Sequence, residues 1–137
     1  MSDFRIIYTR PDDGGVDFIV PSLGVSVEEA IKNVPDGLDC EVVGVVDIPT
    51  DRTFRNGWER NGRTIGHNIN KCKAIAHDCR RAARAAEFAP LDIEVTIPAK
   101  AAQAETARQA IRERYAVMQE QIDAAQTVDE LKAIISQ

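Results

Sequence analysis

The side chains best suited to supply a nucleophile, a base or a soft metal ligand are three cysteines, Cys40, Cys72 and Cys79, and two histidines, His67 and His77. Cys72 and Cys79 stand seven residues apart. On one helix face that separates their Cα atoms by roughly 10 Å at ~1.5 Å rise per residue. A disulfide needs Cα atoms closer than ~7 Å, so the pair does not bridge within one helix. No spacing matches a zinc site, and the histidines do not complete one. His77 falls on the polar side of the helix that carries both cysteines, which argues against a Cys–His nucleophile. The cysteines therefore read as small buried hydrophobes. Asp12-Asp13 and Glu28-Glu29 are paired carboxylates, explained by a solvated turn and a helix start. Gly57 to Thr64 copies the outline of a phosphate-binding loop, with Arg63 in the lysine position. That loop needs a strand before it and a helix N-terminus directly after it. Turn residues precede this one, and Thr64-Ile65 reads as extended. The sequence thus assigns no catalytic residue, cofactor site or metal ligand, and the chain reads as non-enzymatic.

The arginines do have a pattern. Residues 1–51 carry three basic and eleven acidic side chains, a balance of −8. Residues 52–84 carry nine and two, or +7, and residues 85–137 carry five and nine, or −4. Arg52, Arg55, Arg60 and Arg63 open the basic block, interleaved with Phe54 and Trp58. Aromatics among arginines suit nucleic acid. A net charge of −5, however, repels phosphate at long range, and no nucleic-acid module is present. The guanidinium fork also suits carboxylates. These four arginines are accordingly expected to serve protein contacts, within the chain or with an acidic neighbour.

The elements that position these groups follow from periodicity. Residues 4–8 and 16–20 are β-branched and aromatic runs around the turn cluster Arg10 to Gly15, a β-hairpin signal. Ser26-Val27-Glu28-Glu29 is a capping box opening a helix that ends near Val34. Residues 40–48 read as a third, largely buried strand ended by Pro49. Phe54 and Trp58 are expected to plug the sheet against the helix that follows. From Ile69 the period changes: Ile69, Cys72, Ala76, Cys79, Ala83 and Ala86 form one stripe on a helix ending near Glu87. Pro90 and Pro98 bracket an extended stretch, 93–97. A longer helix, Ala99 to Ala125, carries Ala104, Ala107, Ile111, Tyr115, Met118, Ile122 and Ala125 on its stripe. Thr127 to Glu130 is a second capping box, opening a short helix with Leu131, Ile134 and Ile135.

The expected architecture is α+β: a small N-terminal β-sheet with one short helix over 1–66, then a helical arm or hairpin over 67–137. In a hairpin, a 27-residue second helix outruns a 19-residue first one by roughly 12 Å. That overhang would expose Met118 and Ile122, with Leu131, Ile134 and Ile135 close behind. Tyr115, Met118, Ile122, Leu131, Ile134 and Ile135 are therefore candidate contacts, either for a fold-back of 128–135 or for a partner subunit. Length and composition (137 residues, 44% hydrophobic, 28% charged) fit a globular domain with an appendage, not a disordered, fibrous or disulfide-rich chain. No stretch is long and apolar enough to cross a bilayer, and no secretory signal is expected.

Ile48 to Trp58 (Ile-Pro-Thr-Asp-Arg-Thr-Phe-Arg-Asn-Gly-Trp) resembles a segment found in small proteins of tailed bacteriophages and prophages, mostly of unassigned function. Ile7 to Val16 is similar to the opening strand of that group, Lys73-Ala74 to its central helix, and Arg108 to Glu113 to a helix near its C-terminus. The C-terminal half resembles phage tail-assembly chaperone and tail-fibre-assembly proteins. The chain departs from the pattern at Gly57, at Gly66 to Ile69, and in lacking a terminal Trp-Pro tail. The resemblance implies a tail-module protein that binds other virion proteins in a homo- or hetero-oligomer, in the phage virion or in the host cytoplasm during assembly. It carries over no catalytic residues. The rival expectation is an anti-defence inhibitor that blocks a host protein, favoured by the acidic 1–51 block.

Overall fold

The computed structural model describes residues 3–137. The chain divides into two compact units, Met1–Lys71 and Cys72–Gln137. The division falls inside the first long helix.

In the first unit, strand β1 (Phe4–Thr9) lies between β2 (Val16–Ile19) and β3 (Cys40–Gly44), antiparallel to both. Period-2 alternation places Arg5, Ile7 and Thr9 on one face, opposite Val43, Phe18 and Val16 respectively. Ile7, Val16, Val43, Ile48 and Trp58 form the core on that face, with Phe18 and Ile65 packed against it. Ile6, on the other face, is equally buried. Helix α1 (Val27–Ile31) opens at Ser26, whose Oγ accepts the Glu29 N–H at 3.2 Å, as the capping box requires. It buries Ala30.

Two expectations for this unit are corrected. The third strand stops at Gly44, because β1 begins at Phe4 and offers no ladder beyond it. Asp47 Oδ2 accepts the Gly44 N–H at 2.9 Å and winds 45–47 into a 3-10 turn, leaving Val45 and Val46 exposed. The polar middle segment contains a second hairpin, β4 (Trp58–Asn61) with β5 (Thr64–His67), which packs on β1 and β2. Gly62 takes φ +62° at the first turn position, while Arg63, like every described non-glycine residue, keeps a negative φ. That is the Gly-X order of a type II′ hairpin turn. The resemblance to a phosphate loop is thus a strand–turn–strand, not a strand–loop–helix.

Helix α2 (Ile69–Glu94) starts where Asn68 Oδ1 accepts the Lys71 N–H at 3.1 Å. It runs through Pro90 to Glu94 rather than stopping at Glu87. A proline inside a helix costs about 3 kcal/mol. Here partly buried Phe88 and Leu91 anchor the helix on either side of it. The β-branched run 93–97 has no strand to pair with and closes in successive turns, Thr96 N–H to Ile93 O and Ile97 N–H to Glu94 O. Helices α3 (Ala101–Ala124) and α4 (Val128–Ile135) complete the second unit.

The expected overhang does not exist, because α2 has 26 residues and α3 has 24. Thr127 Oγ1 accepts the Glu130 N–H at 3.2 Å, and α4 folds back on α3. The α2 stripe is corrected too. Cys72 and Ala76 are buried, but Cys79, Ala83 and Ala86 are exposed. The inner face passes instead through Arg80, Arg84, Glu87, Phe88 and Leu91, all partly buried. Arg80 and Arg84 lie one residue, or roughly 100° of helix, beyond Cys79 and Ala83, and it is their side of α2 that meets α3, where Glu87 accepts from Arg114 and Tyr115.

Candidate binding cleft

In the first unit, three of the four arginines expected to serve protein contacts, within the chain or with a neighbour, are engaged within the fold. Arg52 and Arg55 both place their guanidinium groups over the Phe18 ring, 5.1 and 5.3 Å from its centroid. Arg60 donates to Thr9 Oγ1 at 3.4 Å and to the Gly62 carbonyl at 3.0 Å. Arg63 is exposed at the tip of the β4–β5 turn. Asp51 Oδ1 accepts from both the backbone N–H and the hydroxyl of Thr53, and Phe54 and Trp58 are fully buried. The distinctive segment Ile48 to Trp58 therefore builds the core and its cover. Among the described residues, no acceptor meets the buried Trp58 Nε1.

The β1–β2 loop is held by charge. Arg10 donates to both Asp13 oxygens, at 2.9 and 3.1 Å, and to Asp17 at 2.8 Å. Those bonds from Arg10, with help from the Gly15 N–H, hold the Asp13 carboxyl down to about 2. Lys71 Nζ donates to the Asp13 carbonyl at 2.6 Å, tying the start of α2 to this loop.

In the second unit, Tyr115, Met118, Ile122, Leu131 and Ile134 are buried and Ile135 is partly buried. They close α3 and α4 on each other as the fold-back alternative has it, so as candidate partner contacts the five buried side chains are corrected. The signal misread was a true apolar stripe whose neighbour comes from the same chain.

Between α2 and α3 lies a cleft of about 530 Å³ that sequence reasoning did not single out. Arg80, Arg81 and Arg84 line it from α2, and Arg112, Tyr115 and Gln119 from α3, while Ala85 and Ala116 leave its floor open. The outer charges are neutralised, Arg81 by Asp78 at 2.8 Å and Arg112 by Glu105 at 2.9 Å. The inner two are not: among the described residues, no carboxylate pairs with Arg80 or Arg84. Arg84 lies over the Phe88 ring at 4.7 Å. Arg80 Nε donates to His77 Nδ1 at 3.3 Å, which puts the imidazole proton on Nε2, 2.8 Å from Asp123. His77 thus has both ring nitrogens engaged. Tyr115 and Arg114 donate to Glu87, and these bonds, the Tyr115 one foremost, lower its carboxyl pKa. Burial first, then the bond to Glu87, raises the Tyr115 phenol.

A guanidinium stays charged at every working pH, so Arg80 and Arg84 can grip an anion with paired N–H donors but do not exchange protons with it. The sequence signal was present in the i, i+4 pair Arg80 and Arg84. It was hidden because the 3-4 stripe pointed to the alanines. Among the described residues, no three His, Cys, Asp or Glu side chains gather as a metal site, and no helix is long and apolar enough to cross a membrane. No protein-family model, curated protein or solved structure matches the chain.

Proposed function

We propose that this chain is a non-enzymatic tail-module protein of a tailed phage, binding other virion proteins as a structural component or an assembly factor. The segment Ile48 to Trp58 supports the phage origin through its resemblance. One observation carries the binding role. The strand registers place the start of β1 beside the ends of β2 and β3. Val20, Val45 and Val46 emerge at that end of the sheet and Leu23 follows in the next loop, with exposures of 45%, 42%, 89% and 79%. Large apolar side chains left exposed at one end of a sheet suit a protein interface. Affinity purification of the tagged chain from phage-producing cells tests the reading. Co-purification of named tail proteins is expected, and a Val46→Asp, Leu23→Asp double variant should lose them while its thermal stability holds. Recovery of a host defence protein in their place would favour the inhibitor reading, which the acidic 1–51 block supports.

A further inference from the structure

We propose that the arginine cleft of the helical unit receives a short acidic segment of a protein partner, with two carboxylates seated on Arg80 and Arg84. This rests on the reading of the chain as a protein-binding module and names the chemistry of what it binds. Arg80 and Arg84 are partly buried, line a concave site and, among the described residues, have no ion-pair partner. Removing a charge from water is costly unless an opposite charge is supplied, so this pair is poised for an anion from outside. One helical turn separates them, roughly 6 Å along the axis. That spacing suits alternate side chains of an extended segment, which repeat every ~6.6 Å, better than a single small anion. Gln119 adds an amide donor at the wall, and Ala85 and Ala116 leave room for a backbone.

The charges around the site favour carboxylates of a short segment over nucleic acid. Asp78 and Glu105 neutralise the outer arginines, and Glu87 is held by Tyr115 and Arg114. The unit as a whole, residues 72–137, carries nine basic and ten acidic side chains, or −1. A long phosphate backbone would run past those carboxylates, whereas a few residues of acidic peptide need only the two inner guanidiniums.

The test uses the full chain and a fluorescein-labelled hexapeptide of alternating Asp and Glu, with the matching Asn and Gln peptide as control. Fluorescence anisotropy should show binding of the acidic peptide alone, weakening as salt rises. Arg80→Gln and Arg84→Gln should each weaken it roughly tenfold or more, with helix content unchanged by circular dichroism. Equal binding of the two peptides overturns the proposal, as does undiminished binding by both variants or tighter binding of a single-stranded oligonucleotide at the same salt. If the acidic peptide fails to bind while tail proteins still co-purify, the cleft assignment falls and the tail-module reading stands. Peptide binding without tail-protein co-purification gives the reverse.

Discussion

A Cβ on Gly15 would come within 2.1 Å of Arg10 Nη2, so a larger residue at this position displaces the guanidinium. Gly15→Ala should push Arg10 off Asp13 and Asp17 and cost about 1 kcal/mol, the scale of a partly exposed charge network. Urea titrations should show that cost largely vanish in an Arg10→Ala background, since the two changes disrupt one interaction. Asp13 gives a second expectation. Its folded carboxyl titrates at about 2, below the ordinary 3.8, so its bonds stabilise the fold above pH 3.8 and are lost as pH falls through 2. Melting temperature should drop over that window in the native chain, and Asp13→Asn should flatten the drop while lowering stability at neutral pH. At this scale the sequence was legible for Phe54 and Trp58, which are in the core. Cys79 was misassigned, because its place on a stripe said nothing of which side the neighbour would occupy.

Helix α2 carries a proline that no contact of its own explains. Pro90 is exposed and has no N–H for the Ala86 carbonyl. Pro90→Ala restores that bond and should stabilise the chain by about 1–3 kcal/mol in chemical denaturation; a loss of stability would mean that the ring fixes the end of the helix. Leu131, fully buried where α4 meets α3, should behave as core: Leu131→Ala should cost about 2–5 kcal/mol, read by the same titration. Elements with a capping box or an uninterrupted stripe, such as α1, α3 and α4, could be read from sequence because the signal is local. The β4–β5 hairpin could not, since Trp-Glu-Arg-Asn lacks alternation and its partner strand contains a glycine. Residues 93–97 look like a strand because β-branched residues favour extended backbone, but a strand needs a neighbour, and among the described residues none pairs with them.

At the level of the whole chain, the basic block 52–84 is divided between the two units. Within residues 52–71, Arg52, Arg55 and Arg60 serve the first unit, so the opening of the basic block is largely spent on its own fold. Its last three arginines, Arg80, Arg81 and Arg84, line the cleft of the second unit. Charge per segment was visible in the sequence; which charges stay uncompensated was not, because that depends on the pairing of α2 with α3. The most direct measurement of the tail-module role is quantitative mass spectrometry of tails from phage-producing cells, both finished virions and assembly intermediates. The chain should appear in fixed proportion to a tail protein in at least one of the two, and its absence from both would contradict the role.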